Sequence, residues 1–224
     1  MGKKAELFLL LLLIAGLLMA GKNLQKYVAS DRVETEEKTV VLDAGHGGRD
    51  PGKIGVGEVQ EKDINLEIAK KIREKLEERG IRAVMTREKD ETLAPAGSAN
   101  RQVEDIKKRV ERIDGENALL AVSIHQNSYQ DPKVRGAQVF YYQHSTEGKE
   151  AAAILQEALI RMDPEHQREA KANDTYYLLR RTRTPTVECG FLSNPEEAEL
   201  LVSGEYQEKI AEAVAEGIET CLQD

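Results

Sequence analysis

The sequence predicts an α/β fold: a mostly parallel twisted sheet flanked by helices on both faces, in a single folded domain. Two observations carry this. Short apolar runs of strand length alternate with longer segments whose apolar residues recur every four positions. Residues 118–124 are apolar on both faces, as a central strand covered by helices on both sides requires.

The elements follow in order. Val40-Val41-Leu42, ending in a glycine-rich turn, reads as a first buried strand. Residues 44–60 form a glycine-rich loop. Ile64, Ile68, Ile72 and Leu76 recur every four residues in a charged background, an amphipathic helix closed by Gly80. Residues 81–85 give a second strand and 91–100 a loop; Val103, Ile106, Val110 and Ile113 mark a second helix. After the central strand come a strand over 134–142, an Ala/Leu-rich helix over 151–162 and a polar loop over 163–175. Residues 176–179 and 185–189 read as short strands. Residues 205–222 form a final helix, with Ile210, Val214 and Ile218 at spacing four.

Composition removes several classes of function. Of 224 residues, 40% are hydrophobic, enough for a core. Lys and Arg number 32 against 40 Asp and Glu, a net charge of −8, the opposite of a generic electrostatic nucleic-acid binder. Two cysteines, Cys189 and Cys221, allow no disulfide framework and no Cys-rich zinc site. With no Trp and 4% aromatics, an aromatic stacking platform is not expected as the main binding device.

The amino end has its own signature. Lys3 and Lys4 precede 14 uncharged residues, 7–20. That length suits a secretory segment and falls short of the roughly 17–25 residues of a free-standing membrane span. Leu18 and Ala20 make an imperfect cleavage site, so a cleaved signal and an uncleaved anchor both stay open. Either delivers the rest of the chain outside the cytoplasm. Residues 1–21 are thus expected to be a signal peptide or membrane anchor, 22–37 a polar tether, and 38–224 the folded domain. The first 21 residues hold Lys3, Lys4 and Glu6; the remainder carries 30 basic and 39 acidic side chains, a net of −9 that does not suit a membrane-surface binder.

Open α/β sheets build their sites beyond the carboxyl ends of the strands. The polar residues falling there are Asp43 and His46 after the first strand, Glu61 at the start of the first helix, His125 and Asn127 after the central strand, and Glu188 on the last short strand. Two imidazoles and one carboxylate make a hydrolytic zinc set with an open position for water. His46, Glu61 and His125 fill it. A second carboxylate that is not a ligand moves the proton, and Glu188 fits that part. Asp43 is a candidate for orienting a ligand histidine or for capping its strand, and Asn127 for holding substrate or supporting its loop. His144 and His166 lie in polar stretches and read as surface residues. Cys189, adjacent to Glu188, alternates to the other sheet face and reads as core. No GxSxG and no HExxH motif occurs, which weighs against a serine hydrolase and against the helical zinc-protease pattern.

Four motifs in order, VVLDAGHGGRDPG, EKDINL, SIHQNS and ECGFLSNPEE, resemble the zinc-dependent N-acetylmuramoyl-L-alanine amidases of bacterial cell walls. The resemblance runs from about residue 38 to the C-terminus and includes Thr86-Arg87-Glu88. It implies zinc on His46, Glu61 and His125, catalysis by Glu188, and cleavage of the amide between N-acetylmuramic acid and L-alanine in peptidoglycan. SIHQNSY, the hydrophobic N-terminal segment and the lack of a wall-binding repeat are similar to the sporulation-linked branch. That branch makes muramic-δ-lactam in spore cortex together with a deacetylase. The resemblance therefore implies an exported enzyme at the forespore cortex, and leaves room for an accessory exported protein. One departure stands out. Pro185-Thr186-Val187 before Glu188 is about two residues shorter than the family pattern. Either Arg183 and Thr184 join the strand or Glu188 is poorly held. Two alternatives follow: a non-hydrolytic peptidoglycan-binding scaffold that keeps zinc, and a zinc peptidase acting within the stem peptide.

Overall fold

The computed structural model describes Gly2, Ile14, Leu17 and residues 38–223. Apart from those three residues, the expected leader and tether lie outside the described residues. Lys38–Asp224 forms one compact unit. Among the described residues, no helix is long and apolar enough to cross a membrane.

Six strands form one sheet. Strand β1 is Thr39–Ala44, β2 Arg82–Met85, β3 Leu120–Asn127, β4 Gln138–Tyr142, β5 Lys171–Asn173 and β6 Thr186–Phe191. Their order is β2-β1-β3-β6-β4-β5. All neighbours run parallel except β4 and β6. The helices are α1 Glu61–Glu78, α2 Arg101–Gly115, α3 Thr146–Met162, α4 Tyr177–Thr182, α5 Pro195–Leu201 and α6 Gly204–Cys221.

Period-two alternation divides the sheet. Val40, Leu42, Ala44, Val122, Ile124, Val187 and Cys189 point into the main core with α1, α3 and α6. Val41 packs on the other face with Ile113 of α2 and Leu178 of α4. The helices therefore cover both faces, as expected, and β3 is central. In α1, Ile64, Ile68, Ile72 and Leu76 are all buried; each contributes up to about 1.5–3 kcal/mol. The helix ends on left-handed Gly80 (φ 72°). The amide of Ile81 donates to Leu76 O and that of Gly80 to Glu77 O, a Schellman stop.

Three readings are corrected. Residues 176–179 are not a strand but enter α4. The Asn173 side chain accepts from the backbone of Thr175 and Tyr176, turning the chain. The run Leu178-Leu179-Arg180-Arg181 is rich in helix formers, and β6 has β3 and β4 on its two sides, leaving no edge for it. The polar loop over 163–175 contains the edge strand β5. Helix α5, unforeseen, starts at Pro195 behind an Asn194 cap whose side chain accepts from Glu197 N.

The short run before Glu188 resolves differently from both expected outcomes. Arg183 ends α4 in the left-handed region (φ 57°) and does not join β6. The strand gains its length beyond Glu188, through Phe191. Glu188 is paired on both sides, opposite His125 on β3 and Gln138 on β4.

Candidate active site

The loop after β1 brings the first imidazole into place. His46 adopts a left-handed backbone (φ 63°), a conformation uncommon for non-glycine residues. Its carbonyl accepts a hydrogen bond from the Arg109 guanidinium, and its Nδ1 meets Asp50 Oδ2 at 2.9 Å. The loop is stripped of side-chain bulk where the three residues converge. A Cβ on Gly45 would lie 2.2 Å from His125 Cε1, and one on Gly52 2.5 Å from Glu61 Oε2. Only glycine leaves that space.

Glu61, first residue of α1, is buried. Its Oε1 lies 2.9 Å from His125 Nδ1 and 3.2 Å from His46 Nε2. The same oxygen accepts from Gln126 N at 3.1 Å, while Oε2 accepts from Lys53 N at 2.8 Å. One turn along α1, Asn65 donates to Gly45 O and accepts from the Gln126 side chain, bracing loop, helix and β3 together. One donor atom each from His46, Glu61 and His125 falls within 4.8 Å of the others, a group that could hold a metal ion. Neutral imidazole and carboxylate are suitable donors for a first-row divalent ion. Among the described residues no other such group occurs.

Electrostatics are strongly perturbed here. Burial works against an ionised Glu61, yet His125 and His46 hold its carboxyl far below the usual range. Burial likewise opposes a charged His46, but Glu61 and then Asp50 push its pKa up to about 9.

Glu188 approaches from β6, on the same sheet face as His125. It is 5% exposed. Burial pushes its pKa up to about 7, the nearby Glu61 charge adding to this and His125 opposing it. Its Oε1 accepts from the Tyr176 hydroxyl at 3.5 Å, and its Oε2 is buried with no hydrogen-bond partner. Tyr176 is itself fixed by packing on Phe140, with ring centroids 5.9 Å apart. A carboxyl poised near neutrality, with one oxygen free, is suited to accept and return a proton.

All four residues line one cleft of ≈ 610 Å³, walled by α2 and by the segment leading into α4. His46, Glu61, His125 and Glu188 are thus brought together as expected. Asn127 also lines the cleft; its side chain accepts from Ser128 N, so it shapes the loop. Asp43 does not orient either histidine. Its carboxylate takes Thr86, Ser123 and Arg109, and Arg109 in turn holds the Ala44 and His46 carbonyls. Its geometry is that of a buried hub beneath the loop. The orienting carboxylate is Asp50, which sequence reasoning missed. So were Asn65 and Tyr176; Asn65 sits four residues after Glu61, a spacing that puts both on one helix face. Cys189 is fully buried in the core and its thiol is pushed up by burial. Ser123 spends its hydroxyl on Asp43. Neither resembles an activated nucleophile. His144 and His166 lie outside the cleft.

Such a sheet, with a His–Glu–His cluster and a near-neutral carboxyl facing each other across a cleft, has the makings of a hydrolase. Relatives narrow this. The N-acetylmuramoyl-L-alanine amidase family matches residues 40–220. The germination-specific N-acetylmuramoyl-L-alanine amidase of Bacillus subtilis is 41% identical over 186 residues, covering 81% of this chain and 78% of that protein. N-acetylmuramoyl-L-alanine amidase AmiA of Escherichia coli is 30% identical over 228 residues, covering 81% and 75%. Among solved structures, the CwlD amidase of Clostridioides difficile, in complex with the GerS lipoprotein, aligns with a TM-score of 0.80 at 43% identity over 83% of this chain and 98% of that one. The chain belongs to the N-acetylmuramoyl-L-alanine amidase family. It is a hydrolase of the amide joining N-acetylmuramic acid to L-alanine in peptidoglycan.

Proposed function

We propose that this chain is a zinc-dependent amidase of spore-cortex peptidoglycan, with His46, Glu61 and His125 as ligands and Glu188 as the general base and acid. The observation that supports it best is the pairing of two groups across one cleft: three convergent donors, and a buried carboxyl with an unpartnered oxygen. Zinc held by these donors would polarise the scissile carbonyl and acidify water toward a pKa of about 7.

The chain's own groups do the rest. Glu188 takes a proton from the attacking water as the tetrahedral centre forms. It returns that proton to the departing alanine nitrogen, which leaves as an amine. Tyr176 holds Glu188 Oε1 and leaves Oε2 for this exchange. Asp50 fixes the tautomer of His46 by its hydrogen bond to Nδ1, turning Nε2 toward Glu61. Arg109 and Asn65 keep the loop and α1 in register.

The sporulation role rests on the likeness to the germination-specific enzyme of Bacillus subtilis. It carries the expectation of an exported protein, secreted or anchored, with residues 1–21 as leader or anchor and 22–37 as tether. The relative whose structure was solved in complex with a lipoprotein suggests an accessory exported partner. A deacetylase acting on the same glycan would complete muramic-δ-lactam. Spores lacking this chain should contain cortex without muramic-δ-lactam, measured by muropeptide chromatography. Normal lactam content would overturn the cortex role. In vitro, metal analysis of the purified protein should return one zinc per chain, lost on replacing His46 or His125 with Ala. Zinc retained by both variants would overturn the ligand assignment.

A further inference from the structure

We propose that Arg49, Lys53 and Arg101 form a carboxylate-recognition subsite beside the cleft, reading an acidic group of the stem peptide about two residues beyond the scissile amide. The inference rests on the amidase reading and deepens it. A hollow of ≈ 180 Å³ adjoins the cleft, and Asp50 and Gln102 line both. Arg49 and Arg101 line this hollow, and Lys53 lines the cleft beside it.

Three features bear on these cations. Among the described residues, most Lys and Arg side chains are tied into ion pairs or carbonyl contacts. The side chains of Arg49, Lys53 and Arg101 have no such partner among the described residues. Arg101 Nε is moreover buried and unbonded, a donor left without the partner that burial calls for. Finally, the carboxylates already in the hollow are engaged. Asp50 serves His46 and Gly52, and Asp105 serves Arg109, Thr92 and Leu93. The arginines are left to face a ligand.

The ligand chemistry follows from charge and reach. A chain with net charge −8 repels an acidic peptide unless its cleft carries a local cationic rim. A guanidinium presents a planar fork that fits a carboxylate in two hydrogen bonds. Two extended residues span roughly 7 Å, and Asp50 and Gln102 bound both cleft and hollow, so the second residue of the peptide is the one assigned to the hollow.

The test uses two soluble muramoyl peptides that differ only at the second residue, α-carboxylate free or amidated. The full-length protein is expected to favour the free carboxylate by at least tenfold in kcat/KM, mainly through KM. Arg49→Ala and Arg101→Ala should each shrink that ratio at least threefold. Arg112→Ala, an exposed cation elsewhere on α2, should keep it. Arg101→Lys preserves charge without the fork and should fall between; with Arg49→Ala it carries the test if Arg101→Ala does not fold. Equal cleavage of both peptides by the wild type, or full preference in both alanine variants, overturns the subsite and leaves the amidase standing. Cleavage of neither peptide overturns the amidase reading and the subsite with it.

Discussion

Replacing Gly45 with Ala adds one methyl group at the most crowded point of the cluster. The new Cβ would lie 2.2 Å from Cε1, 2.3 Å from Nε2 and 2.7 Å from Nδ1 of His125. Ordinary carbon contacts need roughly 3.5 Å, so loop and ring must separate by about 1 Å. The loop resists. Gly45 N donates to Ile124 O, and Gly45 O accepts from Asn65 and Arg87. The ring therefore moves, and with it the Nδ1 that lies 2.9 Å from Glu61. Metal sites tolerate only about 0.2 Å in ligand distance. Zinc affinity is expected to drop about 10–100-fold, the range seen when ligand positioning is lost. Overpacking costs about 1–3 kcal/mol, a melting shift of roughly 2–12 °C for a domain this size. Chelator competition reads the affinity, and circular dichroism reads the fold and its melting. Wild-type zinc affinity in folded Gly45→Ala would refute the convergence of His125 and Glu61 on one ion.

The other predictions follow from the same geometry. Glu188→Gln should lower turnover by about 10²–10⁴ while zinc content stays at the wild-type value. Tyr176→Phe keeps the packing on Phe140 and should lower kcat roughly tenfold, the worth of about one hydrogen bond to a charged group, with KM within about twofold. His46 is protonated below about pH 9, and a metal ion must displace that proton. Apparent zinc affinity should therefore rise about tenfold per pH unit toward pH 9 and then level, by titration calorimetry in several buffers. Asp43 has a pKa of about 2, burial working against its charge but Arg109, Ser123 and Thr86 prevailing. Because its folded pKa is depressed, the stability it lends is complete above about pH 4 and is lost as pH falls from 4 toward 2. Chemical denaturation should show a loss of about 2 kcal/mol across that window, absent in Asp43→Asn.

Much of this architecture is legible in the sequence because it is written in periodicity. The spacing of four from Ile64 to Leu76 has one reading, and the doubly apolar β3 has one place in a sheet. The four cleft residues are legible because strand ends in such sheets share an edge. What stays hidden depends on partners distant in the chain. Asp43 looks like an orienting carboxylate until its strand places it over Arg109, 66 residues away. The place of Tyr176 is hidden because residues 176–179 carry both strand-like aromatics and helix-forming leucines; the Asn173 turn and the occupied flanks of β6 decide against the strand. The support of Glu188 lies beyond it in the chain, where β6 extends to Phe191, and the short run before it carries no sign of that.

The most direct test of the central claim is mass spectrometry of the soluble products released from purified peptidoglycan by the zinc-loaded protein. Free stem peptides beginning with L-alanine are expected, abolished by chelation and by Glu188→Gln. Shorter peptides lacking that alanine, or binding with no peptide released, would contradict it.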